Sequence, residues 1–406
     1  MDTTQVPAGY KLTDLGVLPE EWEVKTLGEI AFIGSGGTPN RKMLEYWDGT
    51  IPWVTTAQIN SNIIEKAEEF ITDAGLQNSA AKMFKKGALL MAMYGQGKTR
   101  GKVAVLGIDA TTNQACAVIE LKDNAQSNYI FYNLTARYEE LRQLSNSGGQ
   151  ENLSGGIIKR LSVALPPLAE QQAIAEALGE MDALLAAQRA RLAKQRAVKQ
   201  GLLQGLLSGQ QRLPGFAGEW EVKTLSQVAT IGIGRTPSRS VKSFWGRGYP
   251  WISIADLQTK FIDSTKEEIT EAGAASGMTI IPAGTLVMSF KLSLGRMAIL
   301  QRPMYSNEAI CSLQNLSADR DYLHYVLGRT DFSLYGKQAV KGFTLNKQSL
   351  AQIEIPFPSP EEQRAIAAVL SEADAYLAAL EAEHAKTQLL KQGMMQNLLT
   401  GKLRLV

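Results

Sequence analysis

The chain has 406 residues, 45% hydrophobic and 20% charged, with a mean hydropathy of −0.11 and a formal net charge of +2. It is long enough for two or more cores, and no apolar run reaches the roughly 18–20 residues of a membrane span. So small a net charge means that any nucleic-acid surface must come from local clusters of Lys and Arg.

The start, "MDTTQVPAGYKLTDLG", is polar and acidic, unlike a secretory leader. "EWEVKTLGEI" from Glu21 leads into "AFIGSGGTPN", where Phe32, Gly34 and Gly36 imitate the F-x-G-x-G loop of adenosylmethionine-dependent methyltransferases. Trp53 follows Pro52 and reads as a core anchor. The runs "GALLMAM", "KVAVLGI" and "ACAVIEL" predict short strands between Gly- and Asn-rich turns. Between the first two, Ala92, Gly97, Lys98 and Thr99 nearly complete a phosphate loop. "NYIFYNLTARYEELRQL" predicts helix, and a longer helical run follows from about residue 167.

Then the chain repeats itself. "EWEVKTL" returns at Glu219, 198 residues on. "IPWVTTAQI" returns as "YPWISIADL", "GKVAVL" as "GRMAIL", and "EQQAIAEAL" as "EQRAIAAVL". "GTLVMSF" and "RMAILQ" predict the strands of the second copy, and "RDYLHYVLGRTDFSLYG" its helix. The order is A–B–A′–B′, and the segments are 1–166, 167–213, 214–357 and 358–406.

Comparing the copies removes both motifs. The counterpart of "YGQGKTRGK" is "SFKLSLGR", without G-K-[ST], and "RGKVAVLGI" after Thr99 predicts a strand where a phosphate loop needs a helix. Phe32 becomes Thr230, Thr-Pro interrupts the expected helix in both copies, and no N-P-P-[YF] or D-P-P-Y loop occurs. What persists is G-x-G-x-T-P, a compact turn. Cys116 and Cys311 have no C-x-x-C partner and are expected to be buried thiols of a reducing compartment. His324 and His384 leave little material for imidazole catalysis.

The A units predict α+β domains of ordinary size. The B units predict long helices with apolar residues at heptad spacing. The first seam is Ile174, Leu178, Met181, Leu185, Leu192, Leu202 and Leu206, with polar Gln188, Gln195 and Lys199. The second is Ile366, Leu370, Leu377, Leu380, Met394 and Leu398, with Thr387 and Lys391. Ser359, Pro360 and Glu362 predict a capping box, and Gly209 and Gly401 the helix ends. Each run would be about 60 Å long. Packing the two helices antiparallel removes both apolar stripes and predicts two similar heads held apart by a stiff rod. The heads share their edges but differ in the middle, which suits a reader of two different half-sites.

The combination "YKLTDLGVLPEEWEVKTLGEI", "GGTPNR", "IPWV", "LPPLAEQQAI", "RLPGFAGEWEVKTL", "RTPSR" and "IPFPSPEEQRAI" resembles the specificity subunits of type I restriction–modification systems over nearly the whole chain. The resemblance implies two target-recognition domains reading a split, asymmetric double-stranded DNA sequence, and two conserved helical regions on which two methyltransferase subunits dock. It also implies restriction subunits as partners, a non-catalytic role and a cytoplasmic setting. The chain itself is then expected to hold no cofactor: adenosylmethionine, ATP and Mg²⁺ belong to the partners. "SGGQENLSGG" aligns with "AVKGFTLNKQ", so that loop has no evident shared role.

Residues 1–166 carry 16 basic and 18 acidic side chains, and residues 214–357 carry 15 and 12. The DNA-binding candidates of the first head are Arg41, Lys42, Lys82, Lys85, Lys86, Lys98, Arg100 and Lys102, with Gln96, Asn146 and Gln150 as base readers. Those of the second are Arg235, Arg239, Lys242, Arg247, Lys291, Arg296 and Lys341. Two rivals remain at this stage: a scaffold with two protein-binding heads, and a self-sufficient methyltransferase, which lacks its catalytic loop. The sequence leaves open whether the isolated chain self-associates through its helices.

Overall fold

The computed structural model describes residues 6–95, 98–144, 152–339 and 342–405, without the side chains of 337–339 and 342–344. The fold is α+β and duplicated. Two compact units comprise Met1–Arg189 with Ala382–Val406, and Ala190–Glu381. Each holds one mixed head, the opening part of the long helix after that head, and the closing part of the other long helix.

The first unit is built on a five-stranded sheet in the order Ala31–Ser35, Cys116–Leu121, Leu89–Ala92, Val103–Leu106, Asn62–Ile64. Only the last pairing is parallel. The apolar runs in the sequence form its centre, and they are apolar throughout because both faces are covered. Leu89, Met91, Val103, Val105, Ala117 and Ile119 enter one core with the helix Ser127–Ala136. Leu90, Ala92, Ala104, Leu106, Cys116 and Val118, the alternate residues, fill a second core on the other face. After Thr99 the chain turns through Gly101 (φ +81°) directly into Val103–Leu106, so no helix stands where a phosphate loop requires one.

The second unit repeats this order with Thr230–Ile233, Ile310–Gln314, Leu286–Ser289, Met297–Leu300 and Phe261–Ile262, and again only the last pairing is parallel. A smaller sheet follows in each head: Glu69–Ile71, Trp47–Val54, Ala110–Thr112 and Met83–Phe84 in the first, and Glu267–Ile269, Trp245–Ile252 and Tyr305–Ser306 in the second.

The long helices span Leu168–Leu207 and Pro360–Leu398. Gly209 (φ +73°) and Gly401 (φ +68°) lie just past their ends in the left-handed conformation. Neither helix is apolar enough to cross a membrane, nor is any other among the described residues. Within the first unit the helices run antiparallel: Lys391 pairs with Asp182 at 2.5 Å, and Gln188 donates to Thr387 at 3.1 Å. The second unit pairs Lys199 with Asp374 and Arg196 with Glu381 in the same sense.

Ile174, Leu178 and Leu398 are buried in the core of the first unit, where Met394 packs half-buried; Leu185 is buried and Met181 half-buried. In the second unit Leu206, Ile366 and Leu370 enter the core with Leu202 against them, and Leu192, Leu377 and Leu380 form a separate cluster.

Two carboxylates tie helix to head. Ser359 Oγ accepts from the Glu362 amide at 3.3 Å, which is half of the expected capping box. The Glu362 carboxylate is drawn elsewhere, because a guanidinium forms stronger, charge-assisted bonds than one backbone amide. It accepts from Arg212 Nε and Nη2 (2.6 and 2.7 Å) and from Trp220 Nε1 (3.1 Å). Glu170 is held the same way by Arg404 Nε and Nη2 (2.6 and 2.9 Å) and Trp22 Nε1 (3.0 Å). Both glutamates are 2% exposed. The next residues, Gln171 and Gln363, are also buried and accept from the amides of Gln126 and Asp319, while donating to the carbonyls of Pro166 and Pro358. A further pair repeats along the helices: Tyr132 donates to Asp182 at 2.8 Å, and Tyr325 to Asp374 at 2.6 Å.

Replacing Glu362 or Glu170 by Ala leaves a half-buried guanidinium and an indole N–H without their acceptor. Each is expected to lower stability by about 3 kcal/mol in denaturant unfolding. A change within error would show that the carboxylate is not what holds the helix to its head.

His324 occupies the position that Phe131 fills in the first copy, and lies edge-on to Tyr325 at 5.4 Å. Burial, helped by the nearby Lys260 charge, pushes its imidazole down to about 4 from 6.5. As pH falls below about 6.5 the unfolded chain takes up this proton first, so stability falls between pH 6.5 and 4. His324→Phe is expected to remove about 2–3 kcal/mol of that loss, measured by unfolding at pH 7 and 4.5. An identical acid limb in the variant would assign the loss to other groups.

Candidate nucleic-acid interface

The smaller sheet in each head organises an aromatic cage. Its register sets Glu69 opposite Trp53 and Glu267 opposite Trp251. A bulge lets Trp47 and Ile51 both face Ile71, and Trp245 and Tyr249 both face Ile269. Glycine is required there: a Cβ on Gly49 or Gly248 would lie 2.4 or 2.6 Å from the Ile71 or Ile269 carbonyl oxygen. The bulge brings Trp47 edge-on to Trp53 at 5.0 Å and Trp245 edge-on to Trp251 at 4.9 Å.

Over each pair lies an arginine. The Arg41 guanidinium is 3.7 Å above Trp47 and bonds Glu69; that of Arg239 is 3.6 Å above Trp245 and grips Glu267 at 2.5 and 2.8 Å. Arg239 holds the Glu267 carboxyl below its ordinary value. Trp53 and Trp251, 2% and 3% exposed, donate to the carbonyls of Gly37 and Arg235 and so anchor the G-x-G-x-T-P loop from below.

That loop is fixed from above as well. Thr38 bonds Gln114, and Thr236 bonds Glu308. Gly36 and Gly234 press so closely on Thr112 and Ser306 that a Cβ would fall within 2.0 and 2.1 Å of their atoms. The Thr236 hydroxyl, and beyond it Lys291 and Arg239, keep the Glu308 carboxyl below its usual range. In the second head, therefore, Arg239, Lys291, Thr236 and Glu308 share one end of the structure.

The remaining candidates are scattered. Lys42, Lys82, Lys86 and Lys98 are exposed, with no ion pair among the described residues. Lys85 pairs with Asp109 at 2.8 Å, and Lys102 donates to Asn60 at 2.6 Å. Arg100 is buried and donates to the Arg142 carbonyl at 2.7 Å. Arg235, Lys242, Arg247 and Arg296 are exposed, while Lys291 lies half-buried 5.3 Å from the Phe290 ring. Gln96, Asn146, Gln150 and Lys341 lie outside the described residues.

Sequence reasoning missed Glu69, Glu267, Gln114 and Glu308, the partners that fix these loops. Their signal was recurrence: "EFI" from Glu69 and "EEI" from Glu267 begin 16 residues after Trp53 and Trp251, and "NQA" recurs as "NEA". Cys116 and Cys311 are buried, which pushes both thiols up to about 12. Among the described residues no group of three His, Cys, Asp or Glu could hold a metal ion.

The model of the type I restriction modification DNA specificity domain matches residues 19–194 and again 217–391. The MjaIX specificity subunit of Methanocaldococcus jannaschii is 32% identical over 181 residues, which is 43% of this chain and 41% of that protein. The MjaVIII specificity subunit of the same organism is 22% identical over 95% of this chain and 94% of its own length. In fold, the crystal structure of the HsdS subunit from Thermoanaerobacter tengcongensis matches 95% of this chain and 98% of its own, with TM-score 0.53 and 20% identity. The type I S subunit from M. genitalium matches 96% and 97%, with TM-score 0.59 and 15% identity. With the family model matching twice and spanning well over half its residues, the chain belongs to the specificity subunits of type I restriction–modification systems and carries two target-recognition domains.

Proposed function

We propose that each target-recognition domain reads one half of a bipartite, asymmetric DNA site, while the long helices set the spacing and dock two methyltransferase subunits. The observation that carries this reading is a frame repeated to fractions of an ångström with different side chains mounted on it. The Trp-Trp distances are 5.0 and 4.9 Å and the Arg-Trp distances 3.7 and 3.6 Å, yet Lys42 is replaced by Ser240 and Leu44 by Lys242.

Arg41 and Arg239, stacked and ion-paired, act as supports for the loops. Phosphate contact falls to the exposed cations Lys42, Lys82, Lys86, Lys98, Arg235, Lys242, Arg247 and Arg296 together with Lys291, and base edges are met by polar side chains between them. The methyl donor, ATP and Mg²⁺ are used on the partner subunits, and this chain contributes the address alone.

Partner docking has its own chemistry on the helices. In the first unit Leu184, Leu389 and Leu390 are 45%, 69% and 57% exposed. In the second, Val198 and Tyr376 are 45% and 39% exposed. Leu184 and Tyr376 are counterparts 192 residues apart, as are Val198 and Leu390. Apolar side chains recurring at matched positions on a helix surface suit helical segments of a partner present in two copies.

Methylation mapping of host DNA supplied with this chain and its methyltransferase subunit is expected to show a split, adenine-methylated motif that vanishes without the chain. Exchanging 214–357 for the same domain of another family member should change one half of that motif only. Unchanged methylation, or loss of both halves, would overturn the reading. In the assembled complex, Lys242→Ala with Arg247→Ala should lower the slope of log affinity on log salt by about two. An unaltered slope would remove those residues from the DNA contact.

A further inference from the structure

The tip of the hairpin joining Leu286–Ser289 to Met297–Leu300 contains a residue that the fold holds at a cost. Leu292 has φ +66°, and Ser293 N donates to Lys291 O across it at 2.8 Å, which makes a γ-turn with a bulky residue at its centre. That turn is rare and strained for a non-glycine residue. The side chain gains no burial in exchange, being 66% exposed.

The strain is imposed by a rigid base. Ser289, wholly buried, donates its hydroxyl to Ser293 O and accepts from Arg296 N at 3.1 Å. Gly295 N donates to Ser289 O at 2.9 Å, and Gly295 lies so close to the Phe332 ring that a Cβ would approach it to 2.5 Å. Leu345 N donates to Phe290 O at 3.0 Å and clamps the other side. Leu292 is thus a stiff apolar point with Lys291 before it and Arg296 at the foot of its loop. Phe290 N donates to Ala309 O at 2.9 Å, so Lys291 and the turn after it start beside Glu308, at the same end of the head as the Thr236–Glu308 pair.

Strained residues persist where the surrounding structure over-determines them for use. We propose that Leu292 is a wedge that enters the base stack of the half-site read by the second target-recognition domain. Lys291 and Arg296 neutralise the flanking phosphates, and the apolar side chain meets the faces of partly unstacked bases. This rests on the DNA-reading role proposed above. It adds that the second domain recognises its half-site partly through the ease of opening one base step.

The test uses the chain assembled with its methyltransferase subunits and duplexes of the mapped site carrying 2-aminopurine at successive positions of the second half. Wild type is expected to raise fluorescence at one step. Leu292→Gly, which relieves the backbone and removes the side chain, should abolish that rise and weaken binding on the order of tenfold. Leu292→Ala should behave likewise, and Leu292→Met should restore the signal. Unfolding of the variants shows that their folds are intact, and Leu292→Gly should be at least as stable as wild type.

Sequence-specific binding without any local fluorescence rise, or a rise that Leu292→Gly leaves unchanged, would overturn the wedge and leave the reading role standing. Absence of sequence-specific binding by the wild-type complex would remove both.

Discussion

A carboxylate buried at the first turn of each long helix is the constraint on which the rest depends. Taking such a group out of water costs several kcal/mol unless its oxygens are filled by good donors. Glu170 finds them in Trp22 and Arg404, and Glu362 in Trp220 and Arg212. The donors come from distant parts of the chain: the indole from the segment entering the head, the guanidinium from the segment leaving the other long helix. Satisfying one charge therefore fixes three pieces at once. The neighbouring Gln171 and Gln363 extend the hold to the first turn of each head helix.

Farther along the helices the same economy appears with different chemistry. Asp182 and Asp374 each serve a head tyrosine and a lysine of the opposite helix. Between them the copies part company. The seam of the first unit is polar, with Gln188 donating to Thr387 and Glu383 and facing His384, whereas that of the second is the leucine cluster 192, 377 and 380. A repeat with two identical seams could pair in more than one register. A polar patch that must find its complement removes that freedom.

The duplication, the strands, the long helices and their glycine ends were legible in the sequence because each is a local pattern read off periodicity or repetition. The destination of long side chains was not. "SPEE" announces a capped helix start, and Ser359 fulfils it, but nothing local says that Glu362 will turn to Arg212, whose position relative to it depends on tertiary folding. Arg41 and Arg239 illustrate the same limit. In sequence they are basic residues beside a loop; in the fold each lies over two indoles with a glutamate at its tip. Leu292 is a third case, since its φ follows from Ser289, Phe332 and Leu345 closing around the turn and from no propensity of its own.

The division of labour follows from where the copies agree. Glycines at the bulge and beneath the Thr-Pro loop, both tryptophans, the arginine and its glutamate recur because close approach and stacking leave no room for alternatives. Changing any of them would move the loop. The positions mounted on that frame face no such demand, and there the copies differ in charge and in shape: an ammonium at 42 against a hydroxyl at 240, an aliphatic Leu44 against an ammonium at 242. A surface free to change over a frame that cannot lets one fold present two different surfaces. It also explains why the supporting residues recur in the sequence while the residues mounted on them differ from head to head.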